Sequence, residues 1–151
     1  MFIKLKKLSK SLKKDKKFTA IFEIKKNSTD KSGKTQTRHF GYNNPDDKNN
    51  DYTKHGDISR RNRYIIRHEK DLSTGDPSRA GFLSMFILWN KPNIEAAVKD
   101  YNRRLNIYNK TGKFPFKDLV EEAEKEKKEE KEEKEKKAEE EKGEKSKENK
   151  M

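Results

Sequence analysis

Residues 80–89, Ala-Gly-Phe-Leu-Ser-Met-Phe-Ile-Leu-Trp, form the one dense apolar run in a chain otherwise crowded with charge. Only 28% of the 151 residues are hydrophobic and 44% are charged, against ~45–50% apolar and ~25% charged in an average globular domain. Whatever core this chain builds must gather around that run. On a helix its apolar side chains cover most of the circumference, so it is expected as the central, most buried helix, with Trp89 and Phe86 largely buried. It is too short for a membrane span, which needs ~20 apolar residues. Asp76 as N-cap and Pro77 at the first helical position mark its start.

The flanking segments supply material to cover such a helix. Residues 18–24 alternate, with Phe18, Ala20, Phe22 and Ile24 on one face and Thr19, Ile21 and Glu23 on the other, which is a strand pattern. A turn-rich loop, Asn27 to Gly33, leads to a returning strand over 34–40. Residues 41–54 read as a long polar loop. A helix over 57–70 follows, capped by Asp57 and docking through Ile58 and Ile65. A further helix runs from about Ile94 to Tyr108, with Lys99, Arg103 and Arg104 on its outer side and Gly112 ending it. Phe114-Pro115-Phe116 is expected to fold back as a hydrophobic clip. The expected fold class is α+β: a two-stranded antiparallel hairpin packed on about three helices, spanning 18–116.

The ends differ in charge. Residues 118–151 hold 11 Lys against 15 acidic residues, and the remainder holds 28 basic against 12 acidic, so the head is strongly basic and the tail mildly acidic. Residues 1–17 contain eight Lys and one Asp, with Leu5, Leu8 and Leu12 at helical spacing; they are expected as a basic arm that orders on an anionic surface. Residues 117–151 are expected as a low-complexity tail outside the domain, either disordered or a solvated helix fraying after Gly143. Glu precedes Lys by four at 121/125, 124/128, 130/134, 132/136 and 133/137, and each such pair stabilises a helix by ~0.2–0.5 kcal/mol. There is no Cys, which excludes disulfides and Cys-based zinc sites, and no N-terminal secretory pattern.

Such a head should bind polyanions. The candidate nucleic-acid contacts are Arg60, Arg63 and Arg67, a guanidinium stripe on one side of the 57–70 helix, with Tyr64 beside it and Lys13, Lys14, Lys16 and Lys17 from the arm. Guanidinium forks suit phosphate and carboxylate alike, and Tyr52 and Tyr64 are candidates for stacking on bases. No zinc finger, RNA-binding strand motif or phosphate-cradling Gly-rich loop is present, so readout of base sequence is not expected. His39, His55 and His68 are weak metal-ligand candidates, and with Asp51, Asp57 and Arg61 they would converge where the hairpin meets the first helix. No His-x-x-x-His or Glu-x-x-His pair supports a metal, and no Gly-x-Ser-x-Gly elbow supports a nucleophile. No cofactor is expected, and an enzyme is less expected than a binding protein. The bland alternative is that His39 and His55 satisfy backbone groups while Asp57 only caps.

His39-Phe40-Gly41, Asp51-Tyr52-Thr53-Lys54-His55, Asp57, Arg61, Tyr64, Arg67-His68, Ala80-Gly81, Ser84 and Ile87-Leu88-Trp89 follow a spaced pattern. Over roughly 18–107 this resembles a family of short basic proteins encoded by nucleocytoplasmic large DNA viruses of algae and protists. The segment 43–50 looks like an insertion in that pattern. The resemblance implies a viral context, the virion or a viral factory in the host cytoplasm, and no reaction. Two non-enzymatic expectations follow: a nucleic-acid-associated protein binding non-specifically through phosphates, or a minor capsid or core protein docking on acidic viral structural proteins. A metal-dependent nuclease is the remoter alternative.

Overall fold

The computed structural model describes residues 1–148, with side chains to Gly143; residues 149–151 of the expected tail lie outside the described residues. The architecture is α+β. Strands β1 (Phe2–Lys10), β2 (Lys16–Lys25) and β3 (Lys34–Tyr42) form one antiparallel sheet in the order β1-β2-β3. Helices α1 (Tyr52–His55), α2 (Ile58–Arg67), α3 (Ala80–Leu83), α4 (Ile94–Thr111) and α5 (Lys117–Glu148) follow. Among the described residues no helix is long and apolar enough to cross a membrane.

β2 and β3 are the expected hairpin. Ala20 and Phe22 are fully buried, and Phe18 stands opposite Phe40 with the rings stacked at 5.9 Å. The sheet has a third strand where a basic arm was expected. β1 pairs with β2 from Phe2↔Lys25 to Lys10↔Phe18, with a register shift between Leu5 and Lys7. That bulge inserts one residue, so Ile3, Leu5 and Leu8 all stand opposite the apolar row Ile24, Phe22 and Ala20. The bulge stretches the apolar spacing from two residues to three, which is why these leucines look helical in the sequence. Asn109 of α4 covers part of the free edge: its amide donates to the Ile3 carbonyl and accepts the Ile3 N–H, both at 2.8 Å. An edge strand so capped, and carrying Lys6 and Lys7 at its bulge, is a poor template for further pairing.

The apolar run is the centre of the fold, as expected. Phe82, Leu83, Met85, Phe86 and Ile87 are fully buried and Leu88 nearly so. Helix geometry begins at Ala80 rather than Pro77, because Asp76 caps a turn instead, accepting the Ser78 N–H and hydroxyl at 3.0 and 2.7 Å. The run then widens into a π-helical turn over Ser84–Leu88. Gly41 of β3 packs directly on it: its φ is +80°, and a Cβ there would lie 2.7 Å from Leu88 Cδ1. Only glycine meets both demands. Trp89 is largely buried as expected, but part of it remains open to solvent.

α4 is capped by Asn93, whose side chain accepts the Ala96 N–H at 2.8 Å, and ends at left-handed Gly112. Arg104, expected on the basic outer side, is only 4% exposed. It bonds Asp100 at 2.8 Å, both oxygens of Asp118 at 2.7 and 2.8 Å, and the Pro115 carbonyl at 2.7 Å, and it lies 5.0 Å over the Phe86 ring. Those contacts fasten the Phe114–Phe116 clip, where Phe114 packs edge-on against Phe82 and Phe86. Leu119, Val120 and Ala123 of α5 are buried in the same core. The start of the expected tail therefore belongs to the domain body. From Lys131 to Gly143 the helix is exposed on all sides, with Glu130 and Lys134 paired at 3.2 Å, and its backbone is helical to Glu148, beyond the Gly143 at which fraying was expected.

Candidate anion-binding cleft

α2 positions the site. Asp57 caps it as expected, accepting the Ser59 and Arg60 N–H groups at 3.0 and 3.2 Å. The helix stops at Arg67, short of residue 70, because a 3-10 turn over Glu69–Leu72 carries Leu72 into the core. Docking through Ile65 holds, since that side chain is fully buried, but Ile58 is 45% exposed. Arg61 and Asn62 take its place facing inward, each 3% exposed.

The reason is α5, which runs back along α2. Asn62 donates to Glu126 at 2.7 Å, Ser59 donates to the Glu130 carboxylate at 3.0 Å, and Arg61 lies 3.7 Å from Glu122. Arg61 also covers the buried Tyr52 ring at 5.9 Å. Ser59, Asn62 and Arg63 share a flank at helical spacing, and Arg63 donates to the Ser59 hydroxyl at 3.1 Å. Within the expected three-arginine stripe, Arg63 leans toward α5 through Ser59, while Arg60 and Arg67, a little further round the helix, line a cleft.

Arg60, Tyr64 and Arg67 form one wall of that cleft, whose volume is about 480 Å³. Lys16, Lys17 and Gly41 at the ends of β2 and β3 form another wall, and partly exposed Trp89 lines the cleft from the central segment, with Phe40 and Leu88 buried behind it. The cations brought together are Lys16, Lys17, Arg60 and Arg67, facing two carboxylates, Asp51 and Asp71. Asp51 is committed elsewhere: it pairs with Lys17, and it caps α1 by accepting the Thr53 N–H at 3.0 Å. Asp71 contacts His68 at 3.0 Å. Arg60 has a loose contact with Asp47 at 4.0 Å. Lys16 and Arg67 have no ion-pair partner among the described residues. Lys13 and Lys14 are exposed on the β1–β2 turn, next to Lys16 in the chain.

The aromatic groups do not act as expected. Tyr64 is sandwiched, with Trp89 parallel at 4.2 Å on one side and His68 at 4.2 Å on the other. Neither ring face is free for a base, and Tyr52 is buried. Burial and the nearby Asp71 charge push the Tyr64 hydroxyl up to about 12, so it stays neutral at physiological pH. This column of rings stiffens the floor of the cleft.

The three histidines and their acidic neighbours do not converge. His39 shares its Nδ1 with Thr19 at 2.7 Å and Ser11 at 3.0 Å, on the sheet face away from the apolar row. His55 accepts the Asp57 N–H on Nδ1 at 2.8 Å, which puts its proton on Nε2, and packs against Trp89 at 5.3 Å. Burial, reinforced by the Arg60 charge, holds His55 below the usual histidine range against three aspartates that pull it up. His68 belongs to the ring column. Among the described residues no group of three or more His, Asp or Glu side chains is placed to hold a metal ion. Asp51 and Asp57 cap helices, and Arg61 supports Tyr52 and α5.

The residues sequence reasoning missed at the cleft are Gly41, Leu88 and Trp89. They occur in the spaced pattern with Arg67 and His68, and that co-occurrence was the only signal that they share a place. Hydrophobicity alone assigns Trp89 to the core. Compared with protein-family models, curated proteins and solved structures, the chain matches none.

Proposed function

We propose that this protein binds nucleic acid non-specifically through phosphate contacts, as a virion or viral-factory component in the context that the resemblance implies. The observation that supports this reading is the gathering of Lys16, Lys17, Arg60 and Arg67 around one cleft, where only Lys17 has its charge closely met by a carboxylate. Guanidinium and ammonium groups left this way find their counter-charge outside the molecule, and a phosphate backbone offers it repeatedly. Lys13 and Lys14 extend the charge along the β1–β2 turn. Affinity for duplex or single-stranded DNA measured across a salt series is the test. The reading expects log K to fall steeply and linearly with log salt, by about 0.9 per phosphate neutralised on duplex. Weak binding that ignores salt would refute it.

A second reading, docking on an acidic protein surface, is favoured by one observation. α2 already engages acidic side chains, those of Glu126 and Glu130 in α5, through Asn62 and Ser59. It expects little DNA binding and persistence of the protein with nuclease-treated shells from disrupted virions. Loss of the protein on nuclease treatment favours the first reading.

A further inference from the structure

The cleft carries apolar lining that phosphate contacts alone do not require. A duplex presents its phosphates on a convex surface and would touch only the rim. The accessible apolar lining of the cleft includes Trp89, with Phe40 and Leu88 buried behind it, while the cations Lys16, Arg60 and Arg67 line it too. A group that satisfies both must carry an anion and a body with apolar area. Lys13 and Lys14 continue the basic track from Lys16 out of the cleft, so the negative charge of the ligand should continue beyond one phosphate. We infer that the cleft seats one unpaired nucleotide of a nucleic-acid strand, its phosphate on Arg60, Arg67 and Lys16 and its base against the exposed part of Trp89. This inference rests on the nucleic-acid reading and adds to it a preference for single strands and frayed ends over closed duplex.

Two further features shape the expectation. Tyr64 has both ring faces covered, and Trp89 has Tyr64 on one face with His55 close by. A base therefore meets ring edges and aliphatic carbon rather than a stacking platform, so purines should gain little over pyrimidines. The ring column is also internally packed, so the cleft is formed before the ligand arrives and no large rearrangement is needed.

Trp89 is the only tryptophan in the chain, which makes its emission a direct reporter of the cleft. The experiment titrates the full chain with a short 5′-phosphorylated oligothymidylate, with a closed hairpin duplex of similar charge, with thymidine monophosphate, and with a phosphotyrosine peptide. Trp89 emission is followed alongside the anisotropy of the labelled nucleic acids. The single strand should change Trp89 emission and the duplex should bind without changing it. Thymidine monophosphate should give the same change at higher concentration. Arg60→Gln/Arg67→Gln should weaken single-strand binding by about tenfold or more, the scale of losing charge-assisted contacts, and should abolish the emission change. Arg63→Gln, on the α5 flank, should retain it. If both nucleic acids bind but neither alters Trp89 emission, or the duplex alters it equally, the cleft assignment is overturned while non-specific nucleic-acid binding stands. If no nucleic acid binds and the phosphotyrosine peptide alters the emission, both are overturned in favour of a phosphoprotein ligand. Because the parent protein reports its own cleft, this outcome does not depend on any variant folding.

Discussion

On one flank of α2, Ser59 and Asn62 meet Glu130 and Glu126 of α5, and Arg61 lies near Glu122. On the other, Arg60 and Arg67 stand at a cleft with no close carboxylate partner. Both flanks belong to ten residues of one helix and are rich in the same polar and cationic types. The difference is whether a carboxylate of the same chain can reach them, and α5 decides that by lying along one flank only. Arg104 is the limiting case of the first kind, held by Asp100 and Asp118 over Phe86. Arg67 is the limiting case of the second.

Removing α5 should have the largest effect. Truncation after Phe116 deletes Leu119, Val120 and Ala123 from the core and Asp118 from Arg104. At ~1.5–3 kcal/mol per large apolar side chain, this should remove most of the stability of a small domain, and calorimetry should show no cooperative melting. Truncation after Lys131 should leave melting within about 0.5 kcal/mol of the parent, since the side chains described there, to Gly143, are all exposed. If the shorter chain melts normally, α5 is not what divides α2.

Within the body, Phe86→Ala should cost about 3–5 kcal/mol in denaturant unfolding, as large-to-small core changes do, and it also removes the surface beneath Arg104. A variant that melts like the parent would show the central segment to be misassigned. Arg104→Ala should cost about 1.5–3 kcal/mol, the scale of lost hydrogen bonds to charged groups, because mostly buried Asp100 keeps only Arg103 as a cation and Asp118 loses both its bonds. The same variant has a pH signature. Hydrogen bonds from Arg104 hold Asp118 below the ordinary aspartate value of 3.8. Burial pushes Asp100 up, but bonds from Arg104 and Arg103 outweigh it and hold it low as well. A carboxylate with a depressed folded pKa contributes stability fully above its unfolded value and loses it as pH falls through the folded value. The parent should therefore lose stability below about pH 3.8, and Arg104→Ala should lack much of that step. An unchanged acid limb would mean that the pair carries no such linkage.

The smallest effects sharpen the contrast between the flanks. Asn62→Ala removes a mostly buried hydrogen bond to Glu126 and should cost ~1 kcal/mol. Arg60→Gln/Arg67→Gln should change melting by less than about 0.5 kcal/mol, as exposed charges contribute little. Its duplex-DNA salt slope should nevertheless flatten by about two phosphate contacts. Adding Arg63→Gln should flatten it little further. If Arg63 matters as much as Arg67, the leaning of Arg63 toward α5 is irrelevant to binding.

Linear order settles what depends on neighbours a few residues away. Asp57 as a cap, Gly112 as a helix end, the alternation of β2 and the all-round apolarity of 82–88 are set by backbone geometry within one or two turns, so they are legible in linear order. So was the pairing of Glu130 with Lys134. What the tertiary structure alone decided was which polar side chains stay with the chain and which face outward. β1 is a strand because β2 and Asn109 pair its backbone, and its bulge disguises the apolar alternation. Arg61 and Arg104 lie inside because Tyr52, Phe86 and distant carboxylates surround them, although in the sequence they resemble Arg60 and Arg103. Trp89 lines a cleft because β3 packs on the π-turn at Gly41 and leaves part of it open. The physical reason is common to all three: a charge or a ring has no fixed preference for core or surface until its partners are in place, and those partners arrive from elements far apart in the chain.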